Sequence, residues 1–278
     1  MTRLRFKYYM RLSFSDSVEK HRFSLKCVPK TDATQRILLT RKDVYPNSFI
    51  SEGMDSFGNL IIYGYEEKEH KDFFFDVEGE AQTGLAHGLT DSDISIFKYQ
   101  TEVTRPGDCL YSYYSDLTEK YLTESIKYAD ASVYDTADDS MRFALYTMSR
   151  LGNDYEYVCG VTDIQTKAEE AMQSGKGVCQ DYAHIMISVC RMKKIPSRYV
   201  TGMMLGEGKS HAWVEVYSGN KWIGIDPTNK KLVDDYYIKI AHGRDYSDCL
   251  VNQGVFTGHV TQQQEISVLV EEVDLIDR

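Results

Sequence analysis

Residues 1–105 alternate between apolar and polar side chains in short segments. Alternation with a period of two is typical of strands that bury one face. The segments lie at 4–9, 23–28, 36–42, 60–65 and 73–77. Turn-forming residues, such as those at 55–59 and 78–79, separate them. Strands at this spacing predict a β-sandwich-like domain over residues 1–105, with a boundary at 105–108.

After residue 105 the apolar positions recur three and four residues apart, which is typical of amphipathic helices. Helices are predicted over 118–129, 140–149, 167–172 and 180–192. Alternation then returns, and it predicts strands over 198–204, 211–217, 222–226 and 265–273. The glycine-containing segment 202–208 is interpreted as a loop ahead of the strand that begins at 211. The second domain, over residues 106–278, therefore combines helices with strands.

The composition is that of a soluble globular protein, with 42% hydrophobic and 27% charged residues among 278. The net charge of -10 argues against general binding to nucleic acid, because phosphate recognition needs a basic surface. Apolar runs are shorter than the ~20 residues of a spanning helix, so no membrane association is expected. The N-terminal residues lack the apolar core of an export signal, so a cytoplasmic location is expected. The oligomeric state has no signature in the sequence.

The cysteine pattern predicts reduced thiols and no metal site. Six cysteines are spaced irregularly along a long chain, which does not resemble a disulfide framework. Neither Cys-x-x-Cys nor His-x-His occurs, so no zinc site is expected, and no motif indicates another cofactor. Cys190 lies on the apolar side of a predicted helix and is interpreted as a structural residue.

Cys179 stands in a different setting. It follows Gly175 and Gly177 and opens the predicted helix 180–192. The glycines allow a tight turn and a close approach of the backbone to a substrate. The unpaired amides and the dipole of a helix N-terminus favour a thiolate, which is the nucleophilic form of cysteine. Cys179 is therefore a candidate nucleophile.

His211 and Asp226 lie on two consecutive predicted strands, and their relation depends on register. If Tyr217 pairs with Trp222, then Asp226 opposes residue 213, and His211 becomes its diagonal neighbour on the same face. A one-residue bulge would place them on opposite faces. Gly224, between them, is expected to leave open space for a substrate.

Two other histidines and one acid are weaker candidates. His184 follows Cys179 by five positions, so it points to another side of the helix and cannot be the base for that thiol. Asp181 is expected to stabilise the helix start. His242 is placed on a loop or strand end.

With these residues the chain resembles the transglutaminase-like superfamily, in its prokaryotic, bacterial-type, cysteine-peptidase-like branch. The matching motifs are Gly-Val-Cys-Gln-Asp-Tyr-Ala-His at 177–184, Ile-Pro-Ser-Arg-Tyr-Val-Thr-Gly at 195–202, Ser-His-Ala-Trp-Val-Glu at 210–215, Asp-Pro-Thr-Asn at 226–229 and Gly-Arg-Asp-Tyr at 243–246. Residues 1–105 resemble the N-terminal β-domain of that branch. The resemblance implies an α+β protein with a papain-like core, in which a helix carrying the Cys packs on an antiparallel sheet carrying the His and Asp. It implies that Cys179 is the nucleophile, His211 the general base and then acid, and Asp226 the residue that orients His211.

The activity implied by the resemblance is acyl transfer on amide or peptide bonds through a thioester. Animal cross-linking enzymes of this superfamily use a Trp upstream of the Cys, whereas Trp213 and Trp222 both lie downstream here. Hydrolysis of a peptide or protein amide is therefore favoured. A cross-linking transglutaminase and a non-catalytic protein-binding module remain alternatives. The Cys179 amide, with Gln165 or Tyr157, is the candidate oxyanion donor.

Overall fold

The computed structural model describes residues 1–85, 94–123 and 138–273, and two antiparallel sheets carry most of this part. Among these residues the first sheet has eight strands. Its strands from the first part of the chain are β1 Thr2–Leu25, β2 Gln35–Tyr45, β3 Phe49–Met54, β4 Leu60–Glu66 and β5 His70–Thr83. The predicted segments 4–9 and 23–28 fall largely on a single 24-residue strand, β1, and β3 was not predicted.

Strand β1 bends the first sheet back on itself. Its pairing with β5 shifts register between Ser13 and Val18, and Lys20 has a positive φ of 53°. The half before the bend pairs with β15 Gln262–Glu272, and the half after it pairs with β14 Asn252–Thr257. Strands from the end of the chain thus complete the sheet that the first residues begin, and a domain boundary at 105–108 stays a prediction.

The second sheet has five strands among the described residues, in the order β12-β11-β10-β8-β13. They are β8 Ser197–Met204, β10 His211–Ser218, β11 Lys221–Asp226, β12 Lys231–Leu232 and β13 Tyr237–Gly243. The loop predicted at 202–208 is wrong, because its start belongs to β8 and residues 206–208 form β9 Gly206–Gly208, which joins the first sheet. His242, expected on a loop or strand end, is the second-to-last residue of β13 and is buried.

The described helices are α1 Asp108–Thr123, α2 Asp139–Asp154, α3 Ala168–Ser174 and α4 Cys179–Met192. The prediction for 118–129 misplaced the start of α1, because a distant carboxylate caps it. Glu169 accepts the backbone N–H groups of Gly107, Cys109 and Leu110 at 2.8, 2.8 and 3.0 Å. The last predicted positions, 124–129, lie outside the described residues. No helix in the described ranges is long and apolar enough to span a membrane.

Helix α4 packs on one face of the second sheet. Its buried side shares a hydrophobic core with Ala212, Val214 and Val216, which are alternate residues of β10. The odd-numbered residues of β10 therefore face the opposite side. His211 is the first of them, and it lies at the end of the strand, beside the first residue of α4. Helices over a five-stranded sheet, joined to a curled antiparallel sheet, confirm the predicted α+β class.

Two amide side chains hold the first sheet against the edge of β13. The Gln35 side chain donates to Lys239 O at 2.7 Å and accepts from Lys239 N–H at 2.8 Å. Asn59 makes the same reciprocal pair with His242, at 2.7 and 3.0 Å. All four groups are buried. Each amide thus pairs with the strand edge as another strand would, and this fixes where the first sheet sits beside the site.

Candidate active site

Cys179 is the first residue of α4, where the chain leaves the extended conformation of Val178. Asp181 stabilises this start, because its Oδ2 accepts the Val178 N–H and the Thr162 hydroxyl, each at 2.7 Å. A Cβ on Gly177 would lie 2.3 Å from the same oxygen, so glycine is required there. The N–H groups of the first two helical residues, Cys179 and Gln180, have no acceptor inside the helix, and the half-buried Cys179 thiol shares this electropositive end.

The hairpin β10–β11 has the register that the sequence predicted. Tyr217 pairs with Trp222 and Glu215 with Gly224. His211 and Asp226 therefore share a face, and His211 Nε2 lies 2.7 Å from Asp226 Oδ2. Because a shift of one residue would have separated them, this pairing decides that the imidazole and the carboxylate meet.

Asp226 is fully buried and accepts several further hydrogen bonds. Its Oδ1 accepts the N–H groups of Thr228 and Asn229 at 3.0 and 3.1 Å. Its Oδ2 accepts the Asn229 amide at 2.7 Å and the Tyr237 hydroxyl at 2.8 Å. The carboxylate is thus held in one orientation, and it fixes the ring of His211 in turn.

The Cys179 thiol is close enough to the His211 ring to interact with it electrostatically, and both residues line the same cleft. Since Asp226 engages Nε2, the nitrogen available to the thiol is Nδ1. The ring is also stacked near Trp213, with centroids 6.4 Å apart and planes at 29°. The structure therefore brings together the three residues that the sequence singled out, in the order thiol, imidazole, carboxylate.

The electrostatics favour a charged imidazolium. Burial alone would lower the pKa of His211, but the hydrogen bonds and charges of Asp226 and Cys179 outweigh it and raise the pKa to about 9. For Asp226, burial opposes ionisation, yet His211 and the donors from Asn229 and Tyr237 lower the pKa. The carboxylate therefore stays ionised at neutral pH and stabilises a proton on His211.

The thiol and the imidazole open into a cleft of about 520 Å³. The starts of α4 and β10 form one wall. The first sheet forms the other wall, through side chains of β1, β14 and β15, including Met10, Phe256 and Gln264. This second wall could not be predicted from the sequence, because its residues are far from Cys179 along the chain and carry no motif.

Comparison with known families accounts for most of the chain. A model of the transglutaminase-like superfamily matches residues 127–227, which include Cys179, His211 and Asp226. A model described as a bacterial transglutaminase-like N-terminal region matches residues 4–82. The chain therefore contains a transglutaminase-like core and a bacterial transglutaminase-like N-terminal region. The match at 4–82 also explains why the first sheet accompanies the transglutaminase-like core.

Relatives of this transglutaminase-like chain occur in bacteria. An uncharacterized protein of Mycobacterium tuberculosis strain H37Rv is 25% identical over 268 residues, covering 89% of this chain and 84% of the relative. One of Mycobacterium leprae is 34% identical over 123 residues, covering 41% and 44%. A solved structure from Cytophaga hutchinsonii, provisionally described as a cysteine protease, has a TM-score of 0.75 at 21% identity, covering 98% of this chain and 91% of that chain. At that identity the likeness concerns the fold.

Two expectations about this transglutaminase-like site need correction. Gly224 does not leave open space, since a Cβ there would lie 2.6 Å from Cβ of Val233, which fills the position. Gln165 does not line the cleft, and its N–H donates to Asp163 at 2.8 Å. Tyr157 is half-exposed and close enough to Cys179 to interact electrostatically; burial, with that thiol, raises its pKa to about 12.

The other candidate residues lie in the interior. His184 Nε2 accepts the Tyr246 N–H at 3.2 Å, and burial lowers the pKa of His184 to about 4. Burial also lowers the pKa of His242. Within the described ranges no group of three His, Cys, Asp or Glu side chains is arranged to hold a metal ion.

A buried ionic cluster, which the sequence did not reveal, stands behind the site. Glu215 lies on the same face of β10 as His211. It accepts from Arg198 Nε at 2.6 Å and pairs with Lys239 Nζ at 3.0 Å, and Lys239 also pairs with Asp32 of the first sheet at 2.6 Å. Burial opposes the charge on Glu215, but Arg198 and Lys239 lower its pKa to about 2. The cluster joins the two sheets next to the hairpin β10–β11.

Proposed function

We propose that this chain is a thiol-dependent enzyme that hydrolyses amide or peptide bonds through a thioester. The observation that carries the proposal is the alignment of the Cys179 thiol, the His211 ring and the buried Asp226 carboxylate, with the thiol and the ring lining an open cleft. A protein-binding module would not need these three groups in register, so a non-catalytic role is the weaker alternative.

The geometry supports a two-stage reaction. The Cys179 thiolate attacks the carbonyl carbon, and a tetrahedral oxyanion forms. His211 then gives its Nδ1 proton to the departing amine as the C–N bond breaks, which leaves a thioester on Cys179. Water attacks the thioester while His211 takes its proton, and the carboxylic acid and the thiolate separate. Asp226 remains ionised and keeps the ring in place throughout.

The backbone N–H of Cys179 is the best-placed oxyanion donor in this proposal. It belongs to the first turn of α4, so the helix provides no acceptor for it, and the helix dipole acts in the same direction. Gln180 also lines the cleft and is a candidate for the second donor. Tyr157, one of the donors expected from the sequence, lies near the Cys179 thiol.

Hydrolysis is favoured over cross-linking by the position of the tryptophans. The chain has Trp213 and Trp222 alone, and both are buried in the second sheet, where Arg198 stacks on Trp222 at 4.2 Å. Neither lines the cleft. The upstream Trp of the animal cross-linking enzymes therefore has no counterpart that could shield the thioester or the oxyanion. Transfer to a primary amine stays the second candidate, because both family models carry the transglutaminase name.

A peptide and protein-amide library tests the proposal. We expect the wild type to release amine, with little incorporation of a labelled primary amine, both measured by mass spectrometry. Cys179→Ala should release none. Cys159→Ala, which removes an exposed thiol, is the matched control and should behave as wild type. Incorporation that exceeds release would favour the transferase, and activity that survives in Cys179→Ala would contradict both forms of the proposal.

A further inference from the structure

Strand β15 has one edge that is only partly paired. Along one side, Gln262–Glu272 pairs throughout with β1. Along the other side, Val268, Leu269 and Val270 pair with the short strand β9. In the part of the chain that the structure describes, no strand pairs with residues 262–267 on that second side. Backbone groups left on such an edge form a template for another extended chain.

The direction of these backbone groups follows from the ladder. Ser15 N–H donates to Thr261 O at 2.9 Å, and Val273 N–H donates to Arg3 O at 2.9 Å. Antiparallel ladders alternate, so the odd-numbered residues of β15 exchange hydrogen bonds with β1. The N–H and C=O groups of the even-numbered residues therefore point to the other edge. At 268 and 270 they meet β9. At 262, 264 and 266 they remain open.

The open positions coincide with the cleft. Gln262, Gln264 and Ile266 line it together with Cys179 and His211, whereas the intervening residues 263 and 265 do not. Both Gln262 and Gln264 are exposed. The unpaired edge of β15 is thus a wall of the same space into which the thiol opens.

Strand β9 shows how the edge can be used. It follows the edge of β15 as far as Gly208, and the chain then leaves through Ser210 to His211. The Tyr8 hydroxyl lies near the Ser210 side chain at this departure point, and both residues line the cleft. A second extended chain placed beyond Gly208 would continue the line of β9 along residues 266, 264 and 262. That line begins next to the catalytic imidazole.

We propose that the substrate is an extended polypeptide segment whose backbone pairs with the open edge of β15 at Gln262, Gln264 and Ile266. This inference rests on the proposed function and names the substrate class of that site. The strand pairing supplies backbone hydrogen bonds that hold the scissile amide at Cys179, and it does not depend on the side chains of the substrate. Compact amides that cannot form a strand are poor substrates.

The lining of the cleft selects uncharged side chains. The side chains along the first-sheet wall carry no charge at neutral pH: amides such as Gln262 and Gln264, apolar groups such as Met10 and Phe256, the Tyr8 phenol, and His21, whose pKa burial lowers to about 4. An extended segment with small neutral or apolar residues fits this wall better than an acidic or basic one.

Peptides that alkylate Cys179 test the pairing without knowledge of the natural substrate. The probes are acetyl-tetraalanine chloromethyl ketone and bromoacetyl-tetraalanine amide, which extend from the thiol in opposite chain directions. Each is compared with its one-alanine counterpart through the second-order rate of Cys179 modification. In at least one series we expect the longer probe to react about tenfold faster or more. N-methylation of single amides should then lower the rate about threefold or more at alternating positions only.

Three variants test whether the probe contacts the edge of β15 at Gln264. Gln264→Pro removes the outward N–H but no bond of the ladder with β1, and Gln264→Ala removes only the side chain. Gln263→Ala changes the same residue type one position away, outside the cleft. Rates are expressed relative to iodoacetamide in each variant, and thermal melting confirms folding. The advantage of the longer probe should fall about threefold or more in Gln264→Pro and persist in both alanine variants.

The failures of the two proposals are separable. If iodoacetamide modifies Cys179 rapidly in the wild type but chain length has no effect, the thiol is activated and the strand pairing is wrong. A uniform response to N-methylation, or equal loss in Gln264→Pro and Gln264→Ala, also overturns the pairing. Rates independent of chain length in a protein that is dimeric by light scattering would assign the edge to a second copy of this chain. Slow modification by iodoacetamide would instead count against the proposed catalytic site.

Discussion

Helix α4 has one thiol at the cleft and another in the buried interior. Hairpin β10–β11 likewise takes part in one charged pair at the cleft and another in the interior. On α4, Cys179 stands at the open end beside His211, whereas Cys190 is fully buried. Burial raises the pKa of Cys190 to about 12, so its thiol stays protonated. The same residue type on the same helix is thus placed to react at one end and inert in the middle. The environment, rather than the residue type, decides which thiol is a nucleophile.

The hairpin repeats the contrast with charge pairs. His211 and Asp226 meet at the cleft, and Arg198 and Glu215 meet in the interior on the same face of the sheet. Both pairs are largely buried and both carboxylates have a lowered pKa. The difference is that an imidazole such as that of His211 can exchange its proton, whereas a guanidinium acts only as a fixed charge. Changes in the cleft pair should therefore alter chemistry, and changes in the interior pair should alter stability.

The two thiols of α4 should differ most in their rate of alkylation. Iodoacetamide at neutral pH should modify Cys179 at least about a thousandfold faster than Cys190 in the folded protein. A thiol with a pKa near 12 has about one thiolate in 10⁵ at pH 7, and Cys190 is also inaccessible. Peptide mapping by mass spectrometry gives both rates in one sample. The exposed Cys159 provides the control for accessibility alone, and equal rates for all cysteines would contradict an activated Cys179.

Removing the charge of Asp226 should show what this carboxylate contributes to the orientation and the protonation of His211. In Asp226→Asn we expect amide hydrolysis to fall by about a hundredfold or more, because the ring loses its fixed orientation and its stabilised proton. The pKa of His211, about 9 in the wild type, should fall. Activity of the wild type should decline as pH rises through about 9, and in the variant this decline should occur at lower pH. An NMR titration of the His211 ring measures the shift, and an unchanged midpoint would contradict the role of Asp226.

The same raised pKa has a consequence for stability. The folded-state value lies above the ordinary value of 6.5, so protonated His211 stabilises the native state at pH values below about 6.5. This contribution should disappear as pH rises through about 9. Chemical denaturation of the wild type and of His211→Gln at pH 6 and pH 10 checks it. The difference between the two proteins should be larger at pH 6, and a difference that grows toward pH 10 would contradict the sign.

The site could be predicted from the sequence because it depends on local rules. Cys179 was found from the glycines that precede it, and the meeting of His211 with Asp226 followed from one pairing, Tyr217 with Trp222. These inferences need only the start of one helix and the register of one hairpin. Their catalytic roles remain the proposal made above.

The surroundings of the site could not be predicted, because they depend on contacts between distant segments. The pairing of Phe6 with Val270 and the cap that Glu169 provides for α1 leave no periodic signal in the sequence. The prediction of open space at Gly224 was wrong for a related reason, since the Val233 side chain that fills the space belongs to the next segment of the chain. Alternation identifies a strand, but it does not identify which strand lies beside it.

The interior charge pair should affect stability more than chemistry. Glu215→Gln leaves Arg198 without its buried carboxylate partner, and we expect a loss of about 3 kcal/mol in the free energy of unfolding. Urea denaturation measures it, and Glu78→Gln, in a surface pair with Arg41, is the control with a change within about 0.5 kcal/mol. The rate of Cys179 alkylation in the folded variant should stay near that of the wild type. Slower alkylation of Cys179 with an unchanged free energy of unfolding would contradict the distinction between the cleft pair and the interior pair.

The smallest expected effect lies where the two sheets meet. Asn59→Ala removes both hydrogen bonds that its side chain makes with the buried backbone of His242. Unsatisfied buried groups on the edge of β13 should lower the free energy of unfolding by about 2 kcal/mol. Because the first sheet also forms one wall of the cleft, the preference of Cys179 for a long peptide probe over iodoacetamide should weaken with it. Full stability in Asn59→Ala would mean that the ionic cluster around Lys239 suffices to hold the sheets together, and a destabilised variant with an unchanged preference would mean that this contact does not position the wall.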